Sequence, residues 1–221
     1  MADERFEVAL FPLDVVLFPG MALPLHIFEP RYRQMTEDCL ADRAPFGVVL
    51  AEAEGESDQQ TPARVGTLAR IADYERLPDG RFNLLARGTR RFEVLEVRRD
   101  RPYLTGLVRP LDDEDAAQPP GSELLEEARA ALDEYLGTMM LLVGGGSEEQ
   151  MIPIPDEPQD LSYLMGICLT CEDCQKQSLL EMRSMSRRLR AGARMLRKET
   201  HQLEHQIAAG AHAGTDRSLL N

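Results

Sequence analysis

Lysine is almost missing from this chain of 221 residues, which carries only Lys176 and Lys198 among its 25 basic side chains. Lys176 stands in Cys-Gln-Lys-Gln and Lys198 in Arg-Lys-Glu, so neither follows a glycine. A phosphate-binding loop of the form G-x-x-x-x-G-K-[ST] needs its lysine to reach the phosphates of a nucleotide. The sequence therefore excludes a nucleotide-driven motor of this kind.

Long apolar runs, a basic leader and a disulfide framework are also absent from the sequence. No stretch approaches the ~18–20 apolar residues of a membrane-spanning helix, and the N-terminus has no basic segment before an apolar run. The four cysteines, Cys39, Cys168, Cys171 and Cys174, are too few and too clustered to cross-link a chain of this size. We expect a cytoplasmic protein with reduced thiols.

Acidic residues are present in excess, because 38 Asp+Glu against 25 Lys+Arg give a formal net charge of -13. The excess is uneven: residues from Glu181 onward hold 8 basic and 4 acidic side chains, which leaves -17 for the rest of the chain. An acidic body is repelled by phosphate backbones. Nucleic-acid binding by the main part of the chain is therefore disfavoured.

The first half of the chain has the pattern of short strands separated by proline, glycine and one helix. Proline fixes its own φ and lacks an N–H, so Phe18-Pro19-Gly20 and Leu23-Pro24-Leu25 confine the neighbouring apolar runs to strand edges and turns. Pro78-Asp79-Gly80 predicts a hairpin turn. Several short strands of this kind indicate a small closed or half-closed β-barrel. The predicted strands are Glu7–Phe11, Val15–Phe18, Leu23–Phe28, Phe46–Ala51, Val65–Leu77, Arg81–Ala86, Arg91–Arg98 and Tyr103–Val108; Pro30–Leu40 is a predicted helix and Glu52–Pro62 a predicted loop.

The second half has helical periodicity after a charged, proline-bearing stretch, Asp112–Gly121, which is typical of a domain boundary. Ser122 is a suitable N-cap for a helix that ends at Gly144–Gly146. Its predicted apolar face holds Leu125, Ala128, Leu132, Tyr135 and Met139, and further helices are predicted from Asp160 or Ser162 to Leu169, from Glu172 to Met182 and from Ser184 onward.

These elements predict an α+β fold, with a small β-barrel that contains one inserted short helix, followed by a helical bundle that ends in a long helix. We expect the barrel lobe to span 1–112, an acidic linker 113–121 and the helical lobe 122–210. Residues 211–221 are predicted to form a disordered tail.

Residues 11–32 carry the most specific pattern, Phe-Pro-Leu followed by Leu-Phe-Pro-Gly, Leu-Pro-Leu-His-Ile-Phe and Glu-Pro-Arg-Tyr. This pattern resembles the start of the Lon N-terminal domain, the substrate-recognition part of the Lon protease. Further blocks follow in the family's order and cover most of the chain. They are Phe46–Leu50, Val65–Thr67, Leu77–Leu84, Gly88, Arg91-Phe92, Leu161–Leu164, Gln177–Glu181 and Arg188-Leu189.

The resemblance implies a PUA-like barrel and a stand-alone substrate-binding domain that recognises polypeptide clients or a partner protein, such as a protease or a chaperone. Full-length Lon proteases couple this domain to an ATPase and a Ser–Lys peptidase. We expect neither here, because the chain ends before them and the lysine contexts match neither. The family's N-terminal domain supplies no catalytic residue and implies no cofactor, so the peptidase (S16) family name would describe ancestry rather than enzymatic activity.

Cys168, Cys171 and Cys174 stand at C-x-x-C-x-x-C spacing, which could bind a soft metal or part of an iron–sulfur cluster. A structural zinc site needs four ligands, and the remaining cysteine, Cys39, lies in the barrel half. Alternatively the thiols pack as small apolar groups beside a helix turn. We favour packing and keep a metal-binding protein or enzyme as an alternative function.

Two histidine patterns are interpreted as structural. His201, Glu204 and His205 spell H-x-x-E-H, the inverted zinc-peptidase motif, but such a site needs a further protein ligand. The motif is therefore interpreted as the solvated face of a terminal helix. His26 has no acidic, Ser or Cys partner at a motif spacing, so we expect it to be bonded to the backbone.

The last helix combines a basic surface with an apolar seam, in which Leu189, Leu196 and Leu203 recur every seven residues. The seam could pack on the chain's own bundle, or it could bind a partner or a second copy and form a homo-oligomer. RNA binding, by analogy with PUA-like barrels, is a further alternative, although the helix lacks aromatic residues for base stacking. The candidate partner-binding residues are Phe18 and Met21 at the barrel rim and Leu189, Leu196 and Leu203 on the helix.

Overall fold

The computed structural model describes residues 4–52, 61–142 and 153–218. Its elements are β1 (Phe6–Leu13), β2 (Ala22–Ile27), α1 (Pro30–Asp42), β3 (Phe46–Glu52), β4 (Thr61–Arg76), β5 (Phe82–Arg98), β6 (Leu104–Pro110), α2 (Ser122–Leu142), α3 (Pro158–Cys168), α4 (Asp173–Glu181) and α5 (Met185–Ser218). Within these ranges, none of the helices has the length and apolar composition that a membrane crossing needs.

The chain divides into two compact units. The barrel unit comprises Met1–Glu114 and Cys171–Arg183, and the helical unit comprises Asp115–Thr170 and Ser184–Asn221. The α+β fold class predicted from the sequence is confirmed, with strands and one short helix first and helices afterwards.

The barrel unit contains a closed ring of strands. Neighbours in the sheet follow the order β5, β4, β3, β1 and β6, and β6 pairs in turn with the second half of β5. β2 pairs with the first half of β5. The β1–β3 pair is parallel, and the other pairs are antiparallel. Closure leaves the ring strands without the open edges that favour aggregation.

Strands β1 and β3 bury both of their faces, which is why they are almost continuously apolar. Leu10 and Val49 belong to a core made of strand residues alone, whereas Phe11 and Val48 face a second core that helix α1 covers. The helical residues of the second core are Tyr32, Met35 and Cys39. These three lie at the i, i+3 and i+7 positions of one helix face.

The hairpin predicted around Pro78 is present between β4 and β5. The N–H of Gly80 donates to the carbonyl of Leu77 at 2.9 Å, and the N–H of Leu77 donates to the carbonyl of Arg81 at 2.8 Å. Gly80 has a φ of 81°, the left-handed conformation that a three-residue loop with a glycine bulge requires.

Helix α4 belongs to the barrel unit, although it follows two helices of the other unit in sequence. The side chain of Arg91, which is fully buried, donates hydrogen bonds to the carbonyl oxygens of Leu180 at 2.6 Å and Met182 at 2.7 Å. It also pairs with the carboxylate of Asp113 at 2.6 Å. Nε2 of Gln177 donates to the carbonyl of Val65 at 3.0 Å. The structure thus divides the chain differently from the predicted single helical lobe 122–210.

In the helical unit α2 and α3 pack on α5, and a buried arginine of α5 is bonded to α3. Nε of Arg188 donates to Oγ of Ser162 at 2.9 Å, and its guanidinium lies 4.7 Å from the ring centroid of Tyr163. Ser162 is therefore buried inside α3 and does not cap it; that helix begins at Pro158 after Glu157. Gly121, whose carbonyl accepts from Leu125, precedes α2, so Ser122 is its first residue rather than its cap.

One further expectation is wrong. Val15–Phe18 is not a strand but a buried connection from β1 to β2, because the hydroxyl of Thr67 satisfies the carbonyl of Leu17 at 2.6 Å in place of a ladder bond. Helix α5 is described as far as Ser218, and the disordered tail expected at 211–221 stays a prediction. Most of the predicted loop Glu52–Pro62 and the predicted helix end at Gly144–Gly146 lie outside the described residues.

Candidate functional site

A cavity of about 260 Å³ opens where β1, β2 and the start of α1 meet. We call it the aromatic cavity. Its lining comes from two short segments of the chain, residues 11–14 and 25–32, and both lie within the family-like pattern of the sequence. The residues that line it are Phe11, Pro12, Leu13, Asp14, Leu25, His26, Ile27, Phe28, Glu29, Arg31 and Tyr32.

Alternation along β2 decides which of its side chains are exposed to solvent. Leu23 and Ile27 are buried, whereas Pro24 and His26 are exposed, as expected for a strand with one face on the core. Phe28 is the next residue on the exposed side of this alternation, and 60% of its surface is accessible to solvent. The chain then turns into α1, because Pro30 at the first helical position has the φ that a helix start needs.

Buried aromatic rings form the inner wall of the aromatic cavity. The ring centroids of Phe11 and Tyr32 are 4.2 Å apart with an interplanar angle of 36°, and Phe46 lies 6.2 Å from Phe11. Burial raises the pKa of the Tyr32 phenol, while nearby Arg31 lowers it and Glu29 raises it further. The phenol is therefore neutral at physiological pH, and the wall presents uncharged rings.

Charged side chains surround this apolar wall. Nε of Arg31 donates to the carboxylate of Glu29 at 2.9 Å, and the Arg31 guanidinium lies 4.6 Å from the Tyr32 ring centroid. Asp14, another lining residue, is exposed. An apolar centre with a polar, solvated rim is the usual anatomy of a protein-binding surface.

The alternating pattern contained the signal for Phe28, but sequence reasoning did not select it. Period-two alternation from Leu23 places residue 28 on the solvent side of β2. A large aromatic side chain there has no core to enter. The predicted partner-binding residues, Phe18 and Met21, lie in the preceding turn.

The structure places Phe18 in the interior, where it is 0% exposed, so it has no surface to offer a partner. Hydrogen bonds of the Gly88 backbone close the turn that contains Phe18. The N–H of Gly88 donates to the carbonyl of Met21 at 2.9 Å, and its carbonyl accepts from the N–H of Gly20 at 2.9 Å. Met21 is half-buried and packs against the α1-covered core. The predicted rim site is thus a hydrogen-bonded turn with Phe18 buried and Met21 half-buried.

The apolar seam of α5 is also internal for most of its length. Leu189 and Leu196 are each 0% exposed within the helical unit, where α5 packs on α2 and α3. They cannot contact a partner while the unit is folded. Leu203 is half-buried and is the one member of the seam set with surface left for an intermolecular contact.

The cysteines and histidines singled out in the sequence lie on several elements. All four cysteines fall within the described residues, and none is in a disulfide. Cys174 is exposed beside Glu172, with its sulfur 3.6 Å from a carboxylate oxygen. Within the described ranges, no group of three or more His, Cys, Asp or Glu residues is placed to hold a metal ion. Elemental analysis of the purified protein is the measurement that tests a metal at Cys168, Cys171 and Cys174.

The exposed histidines make side-chain contacts. The rings of His201 and His205 meet edge to face, with centroids 4.5 Å apart on the surface of α5. Nδ1 of His26 lies 2.8 Å from Oδ1 of Asn83, and Nε2 lies 3.3 Å from Arg81. His26 is therefore bonded to side chains on the outer face of the sheet, not to the backbone as expected.

The sequence of this chain is similar to those of known proteins. A family model described as the ATP-dependent protease La (LON) substrate-binding domain matches residues 7–198. The Lon protease of Methylocella silvestris is 25% identical over 208 residues, which cover 91% of this chain and 25% of that protein. The Lon protease of Flavobacterium johnsoniae is 30% identical over 119 residues, 52% of this chain and 15% of that protein. The chain thus spans a quarter or less of the length of these relatives.

Solved structures extend the comparison. The crystal structure of a Lon N-terminal domain protein from Xanthomonas campestris is 31% identical, with a TM-score of 0.63 over 84% of this chain and 95% of that one. The N-terminal domain of a Mycobacterium avium complex Lon protease has a TM-score of 0.65 at 18% identity, over 86% of this chain and 98% of that one, and so shares the fold. The family match across residues 7–198, together with the Xanthomonas structure, shows that this chain belongs to the LON substrate-binding domain family.

Proposed function

We propose that this protein is a non-catalytic recognition module that binds apolar segments of polypeptide clients at the aromatic cavity. The observation that carries the proposal is Phe28, which is 60% exposed at a cavity of about 260 Å³ that the rings of Phe11 and Tyr32 also line. Large exposed apolar side chains next to a concave surface mark binding sites, because removing their apolar surface from water lowers the free energy.

The chemistry of the cavity favours a peptide over a small charged substrate. Its inner wall, Phe11 and Tyr32, offers contact area and no ionised group. The charged pair Glu29 and Arg31 lies at the rim, where it is screened by solvent and tunes selectivity more than affinity. A client side chain of the Leu or Phe class would fill the cavity and cover Phe28.

Membership of a substrate-binding family supports the same conclusion. Within Lon proteases such a domain precedes the catalytic parts, and the lysine contexts of this chain fit neither a nucleotide-binding loop nor a Ser–Lys pair. The proposed action is therefore selection and holding of a client, with any hydrolysis done by another protein such as a partner protease.

The experiment is a binding titration with a fluorescent, permanently unfolded polypeptide. Burying Phe28 contributes about 1.5–3 kcal/mol, so Phe28→Ser should weaken binding by roughly 10- to 100-fold. Tyr74→Ser is the matched control, because Tyr74 is an aromatic residue of the same unit with 52% exposure and does not line the cavity. Equal losses in the two variants would show that binding is not at the aromatic cavity.

We further propose that the protein works in the cytoplasm and performs no hydrolysis alone. The absence of a disulfide among its four cysteines supports a reducing compartment. Purified protein should leave a casein-type client and ATP intact over hours. Cleavage of either that disappears on a point substitution within the chain would contradict the non-catalytic assignment.

A further inference from the structure

Helix α5 presents a row of positive charges to solvent. Every exposed side chain between Met185 and Thr200 is basic, and spacings of three or four positions place these side chains on one side of the helix. Arg197 pairs with Glu127 of α2 at 2.6 Å, whereas the others form no ion pair with any residue in the described ranges. We call these others the basic face; they are Arg187, Arg190, Arg194 and Lys198.

Helix α2 presents the opposite charge. Between Ser122 and Tyr135 its exposed side chains are Ala130 and five carboxylates. Apart from Glu127, these carboxylates form no ion pair with a residue that the structure describes. We call them the acidic face; they are Glu123, Glu126, Asp133 and Glu134. Both faces lie in the helical unit, where α2 packs on α5, and the Arg197–Glu127 pair lies where the two faces adjoin.

Each face is unfavourable for the helix that carries it. Arg190 and Arg194 are four positions apart, and so are Arg194 and Lys198. Like charges at this spacing destabilise a helix, and Glu123 and Glu126, three positions apart, repel in the same way. Mixed signs along each helix would avoid this repulsion. Opposite charge placed against each face therefore removes repulsion that the isolated chain retains.

The two faces match in length and in charge. The first and last residues of each face are eleven positions apart, which is about 17 Å along a helix. The basic face carries four formal positive charges and the acidic face four negative charges. When a chain carries both a surface and its complement, two copies can satisfy both surfaces at once in a two-fold symmetric dimer.

We propose that these faces bind a second copy of this chain, with the basic face of each copy against the acidic face of the other. A two-fold axis that runs between the copies, parallel to the helices, forms both contacts together. Leu141 lies seven positions after Glu134 on the same side of α2, is 74% exposed, and would add apolar contact at the end of the interface. The surface belongs to the helical unit, so the proposal does not depend on client binding at the aromatic cavity.

A nucleic acid is a poorer occupant of the basic face. It would cover that face alone, and the adjoining acidic face would repel its phosphates. The stretch of α5 that carries the basic face, 185–200, also holds no aromatic side chain on which a base could stack. A second copy satisfies both faces.

Sedimentation equilibrium of the full chain at two salt concentrations tests the dimer. Raising NaCl from about 20 to about 500 mM shortens the Debye length from roughly 20 to roughly 4 Å. Because the contact is built from exposed charges, the dissociation constant of the dimer should rise by at least about tenfold. A chain that stays monomeric in low salt up to about 1 mM protein, or a dimer that salt does not weaken, would overturn the proposal.

A double substitution locates the interface. Arg190→Glu with Arg194→Glu cancels the charge of the basic face and should weaken the dimer by at least about tenfold. Arg70→Glu with Arg99→Glu is the matched control, because these arginines of the barrel unit are exposed and have no ion pair in the described ranges. Both variants have the same net charge, so equal weakening would show that overall repulsion, and not these faces, governs association.

Complete reversal of each face gives a second readout. A variant with the whole basic face changed to glutamate carries two acidic faces, and a variant with the whole acidic face changed to lysine carries two basic faces. Neither should self-associate, whereas an equimolar mixture should form a heterodimer, because each basic face again meets an acidic one. Circular dichroism and a Tm near that of the parent show that each variant is folded. Two folded variants that stay monomeric on mixing would contradict the proposed contact.

A titration with polyuridylate distinguishes a nucleic acid from a second copy. We expect no saturable binding at about 150 mM salt, where roughly 8 Å of screening still leaves the acidic face repulsive. A monomeric chain that binds polyuridylate, and loses that binding in Arg190→Glu with Arg194→Glu, would assign the basic face to a nucleic acid and rule out the dimer.

Discussion

Gly66 shows how one missing side chain shapes the barrel core. A Cβ at this position would lie 2.7 Å from Cγ1 of Val49 and 2.8 Å from the ring of Phe92, and closer still to the carbonyl oxygen of Val48. The backbone oxygen cannot move aside without breaking the sheet. We expect Gly66→Ala to lower the free energy of unfolding by about 1–3 kcal/mol, measured by urea denaturation.

Gly137 provides the opposite case for the same substitution. It is exposed on α2, and a Cβ there would meet nothing within 4 Å. Alanine is the better helix former, so Gly137→Ala should raise the free energy of unfolding by up to about 1 kcal/mol. A free energy of unfolding that rises in both variants would show that the crowding around Gly66 is relieved by movement of its neighbours.

Arg91 is a second residue whose role can be tested alone. Its buried guanidinium bonds Asp113 and two carbonyls at the end of α4. Removing one partner of a buried ion pair leaves the other charge unpaired. We expect Arg91→Met to lower the free energy of unfolding by about 3–5 kcal/mol.

The control for Arg91 is Arg64, whose side chain is 74% exposed in its ion pair with Glu93. Exposed ion pairs are screened by water, so Arg64→Met should lower the free energy of unfolding by less than about 1 kcal/mol. Chemical denaturation followed by circular dichroism measures both variants. A loss at Arg91 no larger than at Arg64 would mean that repacking around Asp113 replaces the pair.

At the scale of elements, helix α5 begins under a cap that two separate segments build. Oγ of Ser184, the residue before the helix, accepts from the N–H of Arg187 at 3.2 Å. The carboxylate of Asp115 accepts from the N–H groups of Met185 at 2.7 Å and Ser186 at 2.9 Å, and from the hydroxyl of Ser184 at 2.9 Å. Donors at the start of a helix have no partner within it, so this carboxylate completes the first turn.

The Asp115 cap predicts a dependence of stability on pH. Burial alone would raise the pKa of Asp115, but the backbone N–H groups of Ser186 and Met185 outweigh it and hold the pKa below its usual range. An unfolded Asp titrates near about 3.9. Because the folded pKa is the lower one, the stabilisation is complete above the unfolded value and is lost as the pH falls below it.

Asp115→Ala removes both the cap and this titration. At neutral pH it should lower the free energy of unfolding by about 1–2 kcal/mol. The difference from the parent protein should shrink as the pH falls below about 4, measured by urea denaturation over an acid pH series. A difference that stays constant with pH would mean that the charge of Asp115 does not contribute to capping.

Local chemistry made several elements predictable. Pro30 and the Leu77–Gly80 turn fix helix α1 and the β4–β5 hairpin, since few residues tolerate those backbone geometries. Val15–Phe18 was mistaken for a strand because an apolar run shows burial and not the hydrogen-bond partner. Its partner is a side chain, Thr67, fifty residues away. Such tertiary bonds are not encoded in local sequence.

The candidate site was predictable in part for the same reason. The family-like segment 11–32 lines the aromatic cavity, so the sequence located the region. It did not separate Phe18, which is buried, from Phe28, which is exposed. Both are aromatic residues close to a proline, and only the alternation of β2 and the packing of the turn against Gly88 distinguish them.

At the scale of the whole molecule, the membership of α4 is the feature that sequence order conceals. Periodicity shows that a helix has an apolar face but not which unit covers it. Leu179 and Leu180 of α4 are each 1% exposed, and the helix is bonded to the barrel unit through Arg91 and Gln177. We therefore expect α4 to share the stability of the barrel unit.

Hydrogen exchange measures this directly with two matched core substitutions. Leu10→Ala in the barrel unit and Leu132→Ala in the helical unit each remove a side chain that is 0% exposed, at a cost of about 2–5 kcal/mol. Leu10→Ala should speed amide exchange in α4 together with β4 and β5, because these elements open as one cooperative unit. Leu132→Ala should speed amide exchange in α2, α3 and α5, and should change the exchange rate in α4 less than in these three helices. If α4 instead follows α3, then Arg91 and Gln177 do not bind it firmly enough to override its position in the chain.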